Sequence, residues 1–231
     1  MLERQGSLRE RLAMWIKEEK NKDGKRPRRI YNVVEGPCML LVEETNEAGE
    51  AAVHCQVATD HTCVEFKLHG QDGIFEFLRE SYNADGAFLI ARPDDAVSIW
   101  IVECKKTIRS SSWDHALKQF QWTAARLLAV AGVIGVEVKS ISLMTAFRYD
   151  EISPEASPNP ALGKLPIGGN AAELPEEERR SSEGLKLLAW MGEDVPLRGF
   201  TGRFAHTRVQ LDSTGVGNCE LGGDVRDRPR E

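Results

Sequence analysis

The sequence lacks any long apolar segment. Its longest apolar run, residues 127–136, is too short to cross a bilayer and contains two glycines. The amino-terminal residues carry charge from the third position onward, so they lack the apolar core of a secretory signal. We therefore expect a soluble, cytoplasmic protein that does not bind a membrane.

The sequence is also poor in short motifs that identify common cofactor sites. Its five cysteines are odd in number and include no Cys-x-x-Cys pair, which argues against a disulfide framework and a zinc ribbon. It contains no P-loop, no dinucleotide-binding fingerprint and no Gly-x-Ser-x-Gly elbow. The cysteines are therefore expected to be reduced thiols.

Acidic residues outnumber basic ones. Lys and Arg number 30 and Asp and Glu number 36, which gives a formal net charge of −6. Phosphate binding draws on Lys and Arg, so this total does not favour a nucleic-acid partner. It does not exclude one, because a local basic groove is sufficient and a metal-free carboxylate site is itself negative. The 231 residues are 41% hydrophobic, enough for one sizeable domain with appendages.

A predicted β-hairpin organises the middle of the chain. Two apolar runs, residues 87–90 and 96–102, are separated by the sequence Arg-Pro-Asp-Asp at residues 92–95. Such a sequence is typical of a turn, and the flanking runs are typical of buried strands. The pattern therefore predicts two antiparallel strands.

The register of this hairpin brings charged side chains together. If the turn is centred at Asp94, symmetry puts Asp85 opposite Glu103, with Cβ atoms about 5 Å apart. Side chains alternate along a strand, so Lys105 shares the face of Glu103 and Cys104 points the other way. Two carboxylates this close either take up protons or share a cation, and oxygen ligands favour Mg²⁺ or Mn²⁺ over zinc. The competing interpretation is a sheet-edge ion pair between Glu103 and Lys105, worth about 0–1 kcal/mol.

Hydrophobic periodicity predicts the other elements of the first 150 residues. Serines at residues 110–112 are suited to cap the helix that follows the hairpin. The predicted elements are a helix over residues 3–20, strands over 31–34, 38–43, 51–57 and 63–68 that form a meander, a helix over 72–81, a helix from Trp113 to Gly132, and a strand over 136–147.

The carboxy-terminal third changes composition. Residues 153–175 are rich in proline, alanine and glycine, which predicts an exposed linker. Beyond Asp212 there is almost nothing to bury, which predicts disorder. We therefore divide the chain into a core with the amino-terminal helix and meander at residues 1–150, a linker, helix (176–192) and strand (204–211) at 151–211, and a disordered tail at 212–231.

Asp85, the sequence Glu103-Cys104-Lys105 and the following glutamine-rich helix resemble the PD-(D/E)XK nuclease superfamily. The resemblance covers about residues 72–150. It implies an α/β (α+β) fold with a mixed central sheet flanked by helices, built on the restriction-endonuclease-like core α-β-β-β-α-β. It also implies a Mg²⁺- or Mn²⁺-dependent nuclease that hydrolyses phosphodiester bonds.

Two other matches to the motif are weaker. Glu65 and Lys67 repeat the Glu-x-Lys spacing, but only Asp60 lies close upstream, which leaves no room for a hairpin. Pro93 and Asp94 supply the literal dipeptide, yet at the turn they would lie roughly 30 Å from Glu103 along the strand. Asp85 therefore remains the better partner of Glu103.

The resemblance assigns roles to individual residues. Asp85, Glu103 and the carbonyl of Cys104 would hold the metal, and Lys105 would orient the attacking water. Either Gln119 or Gln121 on the next helix would position the lysine or the substrate. A further acidic ligand on a helix stays open between Glu76, Glu80 and the amino-terminal helix.

The resemblance also implies a partner. That partner is nucleic acid, with DNA favoured over RNA, in phage or bacterial defence, and many small members of the superfamily act as homodimers. The alternative is that the fold is retained as a catalytically inactive binding or assembly module. Residues that would contact the nucleic-acid backbone are Lys106, Arg109, Lys118 and Arg126.

Overall fold

A computed structural model gives the architecture of most of the chain. It describes residues 6–16, 19–20, 27–28, 30–44, 50–58, 61–68, 80–153, 187, 189–192 and 194–222. The helices are α1 (Leu8–Trp15) and α2 (Ser110–Ile134). The strands are β1 (Glu19–Lys20), β2 (Pro27–Arg28), β3 (Tyr31–Glu35), β4 (Cys38–Glu43), β5 (Ala52–Val57), β6 (Thr62–Phe66), β7 (Gly86–Ala91), β8 (Val97–Ile108), β9 (Val138–Asp150), β10 (Asp194–Val195), β11 (Phe204–Gln210) and β12 (Val216–Leu221).

A large mixed sheet forms the centre of the described part, in the order β10-β11-β9-β8-β7-β6-β3. Its strands β3, β6, β7 and β8 pair antiparallel, whereas β8, β9 and β11 pair parallel. Helix α2 makes the crossover that a parallel β8–β9 pair requires. The predicted class, a mixed sheet with helices, is confirmed at this level.

A small sheet of three strands, in the order β12-β5-β4, covers one face of the large sheet. Along β8, Ile101 belongs to the buried cluster that includes Leu127 of α2, whereas Val102 belongs to the buried cluster that includes Val53 of the small sheet. Burial on both faces explains why β8 has a continuous apolar sequence rather than an alternating one. Each such fully buried side chain contributes about 1.5–3 kcal/mol relative to exposure.

The long helix begins and ends differently from the sequence prediction. It starts at Ser110, and the hydroxyl of Ser112 accepts the backbone N–H of Arg109 at 2.7 Å. It passes through Gly132, the predicted end, and stops where Gly135 adopts a left-handed φ of 69°. Glycine is tolerated inside a helix that is held by packing, so the later glycine with positive φ is the effective terminator.

Two predictions for the amino-terminal region are wrong. Helix α1 is much shorter than residues 3–20, because Glu19–Lys20 already belongs to a strand that pairs with Pro27–Arg28. The four predicted strands exist but do not form a meander, since β3 pairs with β6 and β4 pairs with β5 in the other sheet. Alternation of apolar and polar residues predicts where a strand lies, but it does not predict which other strand pairs with it.

The prediction of a disordered tail is wrong for the part of it that the structure describes. Strand β12 pairs in parallel with β5, and Leu221 is buried. Gly217 lies so close to Leu211 that an added Cβ would meet its side chain at 2.6 Å, so glycine here permits close packing. The predicted strand at residues 204–211 is confirmed as β11.

Several predictions fall outside the described residues. These include the linker at 154–175, most of the helices predicted at 72–81 and 176–192, and residues 223–231. Glu80 and Ser81 are described and are not helical, whereas Leu187 and residues 189–191 are. Among the described helices, none combines the length and hydrophobicity needed to span a membrane.

Candidate functional site: an acidic cluster around Lys105

The hairpin places Asp85 beside Glu103, as its symmetry predicts. Gly86 pairs with Val102, so the next residues outward are Asp85 and Glu103. The backbone N–H of Asp85 donates to Oε2 of Glu103 at 3.3 Å, and the N–H of Cys104 donates to Oδ2 of Asp85 at 2.9 Å. The carboxylate of Asp85 thus binds the backbone of β8 just beyond the end of the β7–β8 ladder.

Lys105 lies at the centre of the cluster. Its ammonium donates to Oε1 of Glu103 and to the carbonyl of Cys104, the latter at 3.2 Å. A third contact joins it to Oε1 of Glu44 at 3.6 Å. Glu103 is 0%, Glu44 6% and Lys105 8% exposed, so this is a buried charged cluster rather than a sheet-edge ion pair.

Glu44 was not identified from the sequence. It directly follows β4 and reaches β8, where its Oε2 accepts the backbone N–H of Lys106 at 2.8 Å. The available signal was the adjacent pair Glu43 and Glu44 at the end of a strand. Nothing in that local pattern shows that the second glutamate meets Lys105 from another sheet.

The pKa values of Glu103 and Lys105 are both shifted by burial and by the neighbouring carboxylates. Burial, and then the negative charge of Asp85, raise the pKa of Glu103 from 4.5 to about 8, although Lys105 opposes this rise. For Lys105, burial alone would lower the pKa, but the carboxylates of Glu103, Asp85 and Glu44 outweigh it and raise the pKa above its ordinary value. Burial is thus the first cause of the raised pKa of Glu103, whereas the surrounding carboxylates are the cause of the raised pKa of Lys105.

Helix α2 fixes the segment that leads into Asp85. The amide of Gln119 donates to the carbonyl of Asn83 at 2.8 Å, and the hydroxyl of Thr123 accepts the N–H of Ala84 at 2.8 Å. One turn further along, the guanidinium of Arg126 donates to the carbonyl of Tyr82 at 2.7 Å and also to that of Glu80. The backbone preceding Asp85 is therefore held by one face of the helix.

This contact distinguishes the two glutamines that the sequence left open. Gln119 is buried and touches the segment two residues before Asp85. Gln121 lies two positions on, about 200° around the helix, and so faces away from that segment. Of the two, Gln119 is therefore the residue with a contact near the site.

A second residue that the sequence did not indicate is His115. Burial and then the positive charges of Lys105 and Lys118 lower its pKa, and the charge of Asp85 opposes this. Its ring meets Tyr82 edge to face with centroids 5.1 Å apart, and Nζ of Lys118 lies 5.7 Å from the Tyr82 ring centre. His115 precedes Gln119 by four positions, so helical spacing places both on one face.

The four basic residues predicted to contact nucleic acid differ in their surroundings. Lys106 pairs with Glu50 at 2.6 Å, and Arg109 pairs with Glu151 at 2.8 Å. Lys118 is exposed beside the ring of Tyr82, which also contacts His115. Arg126 is only 4% exposed and binds the backbone carbonyl of Tyr82, so in this structure its guanidinium faces the segment before Asp85.

The ligand types in the cluster suit a hard divalent cation. Glu44, Asp85 and Glu103 offer carboxylate oxygens and Cys104 offers a carbonyl, which are the ligands that Mg²⁺ and Mn²⁺ prefer. Three carboxylates around one ammonium also leave negative charge to be neutralised. In the described residues, however, no three His, Cys, Asp or Glu side chains form a group that could hold a metal ion. The residues fit such an ion by charge and by ligand type. In this structure the positive charge among the carboxylates is the ammonium of Lys105, which contacts Glu103 and Glu44.

The fold and the cluster together define the class of protein. It is a mixed α/β protein that carries a buried group of acids and a lysine around the middle of the central strand of its large sheet. Comparison of the chain with protein-family models, curated proteins and solved structures gave no match.

Proposed function

We propose that the protein is a metal-dependent nuclease of the PD-(D/E)XK type. The observation that carries this proposal is the convergence of Asp85, Glu103 and Lys105 on β8, just beyond the point where β7 stops pairing with it. The order of elements supports it, because β6, β7 and β8 are successive antiparallel strands followed by α2 and the parallel strand β9. This order is the one that the β-β-β-α-β part of a restriction-endonuclease-like core would require, and so it supports the proposal.

In this proposal the carboxylates hold the metal. Asp85, Glu103 and the carbonyl of Cys104 would bind Mg²⁺ or Mn²⁺, with Glu44 as a further acid close by. When bound, such an ion polarises a phosphodiester and lowers the pKa of a water ligand. Proton loss from Glu103 prepares the site, because its pKa of about 8 leaves the acid largely protonated near neutral pH.

The basic residues act on the substrate. Lys105 has three N–H donors and a positive charge that offsets the charge developing on the phosphate in the transition state. Lys118 and His115 lie on the exposed face of α2 beside the cluster, where a nucleic-acid strand would approach. Gln119 acts indirectly, since it positions the segment before Asp85.

A cleavage assay tests the proposal. Single- and double-stranded DNA and RNA are incubated with Mg²⁺ or Mn²⁺ and either wild type, Lys105→Ala or Lys67→Ala. Lys67 is the exposed lysine of the second Glu-x-Lys sequence, so its variant is a matched control. We expect cleavage by wild type and Lys67→Ala, and a loss of about a hundredfold or more in Lys105→Ala. Equal cleavage by Lys105→Ala and wild type would remove Lys105 from the site.

A second candidate function is a nuclease fold without catalysis that binds or assembles with nucleic acid. The observation favouring it is that Glu103 is 0% exposed and already bound by Lys105. This candidate predicts nucleic-acid binding with no cleavage by wild type and no Mn²⁺ uptake in a calorimetric titration. Cleavage that depends on Lys105 would exclude it.

A further inference from the structure

A groove of about 560 Å³ lies beside the first residues of strand β8, away from the acidic cluster. Ser98 in its wall is five residues from Glu103, about 17 Å along the strand. The groove follows an open stretch of β9. Strand β11 joins β9 only from Ser142 onward, opposite Ala205, so residues 138–141 of β9 have a strand neighbour on one side alone in the described structure. All four of these residues line the groove.

The charged side chains of the groove are mostly cationic. Among the described residues that line it are three cations, Arg92, Lys139 and Arg203, and one acid, Asp94, whereas the whole chain carries a net charge of −6. Lys139 is neutralised by Glu137 at 2.7 Å and approaches Asp94 at 4.0 Å. The groove is therefore locally positive on an acidic protein.

The two arginines make hydrogen bonds to neutral groups only. Arg92 donates to the hydroxyl of Ser98 at 3.2 Å, and Arg203 donates to the backbone carbonyl of Asp194 at 2.6 Å. The Nε–H of Arg92 is buried without a hydrogen-bond partner among the described residues. Two guanidinium charges thus lie at the groove without a carboxylate partner in the described part of the chain.

Hydroxyl groups line the sheet between these cations. Ser98 and Ser140 are cross-strand neighbours whose Oγ atoms lie 2.9 Å apart, and Ser142 follows Ser140 on the same face. Ser98 is 5% and Ser142 6% exposed, positions at which a strand facing a core would carry apolar side chains. Arginine forks together with short hydroxyls form a set of donors matched to the oxygens of a phosphate.

We propose that this groove binds a phosphate group, carried as a phosphomonoester or phosphodiester. The guanidiniums of Arg92 and Arg203 would bind its charge, and the serine hydroxyls would donate to its oxygens. The site is separate from the acidic cluster and does not depend on the proposed nuclease activity. Its phosphate could come from a free nucleotide or from a nucleic-acid strand, and the experiment separates these sources.

Calorimetric titration of the full chain tests the proposal. The probes are inorganic pyrophosphate, a mononucleotide and a short single-stranded oligonucleotide without added divalent metal. We expect binding by wild type, about a tenfold or greater loss in Arg203→Gln and in Arg92→Gln, and no change in Arg9→Gln. Arg9 is an exposed arginine on α1 paired with Glu35, so it controls for the general loss of a positive charge. Circular dichroism melting confirms that each variant is folded.

The probes and one further variant decide between interpretations. Binding of pyrophosphate or mononucleotide supports a nucleotide-sized ligand, and binding of the oligonucleotide alone supports a nucleic-acid strand. Lys105→Ala should bind the phosphate probes as wild type does. Loss of cleavage at the acidic cluster can therefore be distinguished from loss of phosphate binding in the groove. No binding of any probe, or equal binding by wild type and both groove variants, would overturn the proposal. So would binding of a short poly-glutamate peptide in place of all phosphate probes, since that would indicate a strand added to the open edge of β9.

Discussion

The backbone N–H of Cys104 donates to the carboxylate of Asp85 at 2.9 Å. The aspartate directly precedes strand β7, where the backbone pairing with β8 stops, and its side chain accepts this N–H in place of a backbone carbonyl. Its place beside Glu103 is therefore fixed by hairpin register and by a hydrogen bond to the backbone. Removing the charge of Asp85 while keeping its shape is consequently a clean test of the acidic cluster.

Asp85→Asn should leave the fold intact and weaken metal binding. The amide oxygen of asparagine still accepts the N–H of Cys104, so we expect a change in stability of no more than about 1 kcal/mol. Loss of one carboxylate should reduce Mn²⁺ affinity about tenfold or more in a calorimetric titration. Asp94→Asn, in the hairpin turn, is the matched control, and unchanged affinity in Asp85→Asn would separate Asp85 from any metal site.

Glu103 should make the protein less stable at high pH. Its folded-state pKa, about 8, lies above the unfolded value of 4.5, so its contribution is complete below about pH 4.5 and is lost as the pH rises through 8. At about 1.4 kcal/mol per unit the loss is at most about 5 kcal/mol. Urea unfolding at about pH 5 and about pH 8.5 measures it. Glu103→Gln should flatten this dependence, and parallel curves for the two proteins would contradict the assignment.

Metal affinity should rise with pH for the same reason. A proton on Glu103 competes with the metal, so Mn²⁺ affinity should increase by up to about tenfold per pH unit below about pH 8 and level off above it. Titrations across that range in a non-coordinating buffer measure the slope. In Glu103→Gln the slope should disappear together with most of the affinity. A flat profile in wild type would mean that another group binds the metal.

Arg126 should contribute to stability and to the order of the segment before Asp85. Arg126→Gln removes charged hydrogen bonds to the carbonyls of Tyr82 and Glu80, so we expect a loss of about 2–4 kcal/mol in the free energy of unfolding. Hydrogen exchange at the amide of Ala84 should become faster. Arg109→Gln, which breaks an exposed ion pair, should cost about 1 kcal/mol or less. Equal losses in the two variants would contradict a specific role for Arg126.

Cys55 and Cys219 should form a disulfide under oxidation. They are direct neighbours on the parallel strands β5 and β12, with Sγ atoms 3.2 Å apart. Diamide, a two-electron oxidant, would accept the two hydrogens that the thiols lose, and mass spectrometry of the intact and digested chain would identify the link. Cys38→Ser should still form it and Cys219→Ser should not. Its absence from denaturant-free oxidised protein would contradict the register of β12.

The local parts of the fold and site could be predicted from sequence. The turn between the two apolar runs set a symmetric register, and this alone placed Asp85 beside Glu103. The apolar residues of α2 also predict the helix, but not its end, because buried Ala131 and Ile134 on either side of Gly132 carry the helix past this glycine. Both features depend on contacts within one short segment.

The rest depends on contacts between segments distant in the chain. Glu44 reaches Lys105 from a different sheet, and His115 approaches the cluster only because α2 crosses back over β8. Strand β12 is short and contains glycine, and its pairing with β5 joins residues more than 150 positions apart. Periodicity records which face of an element is buried, but it carries no information about which element provides the burial.

The contacts of Glu44 and Glu50 have a consequence for regulation. These two residues lie between β4 and β5 in the sequence and bind successive lysines of β8, Lys105 and Lys106. The small sheet therefore supplies part of the electrostatic field at the cluster as well as covering the large sheet. A ligand that shifted the small sheet would alter the charge balance at Lys105 from the side of the molecule opposite α2.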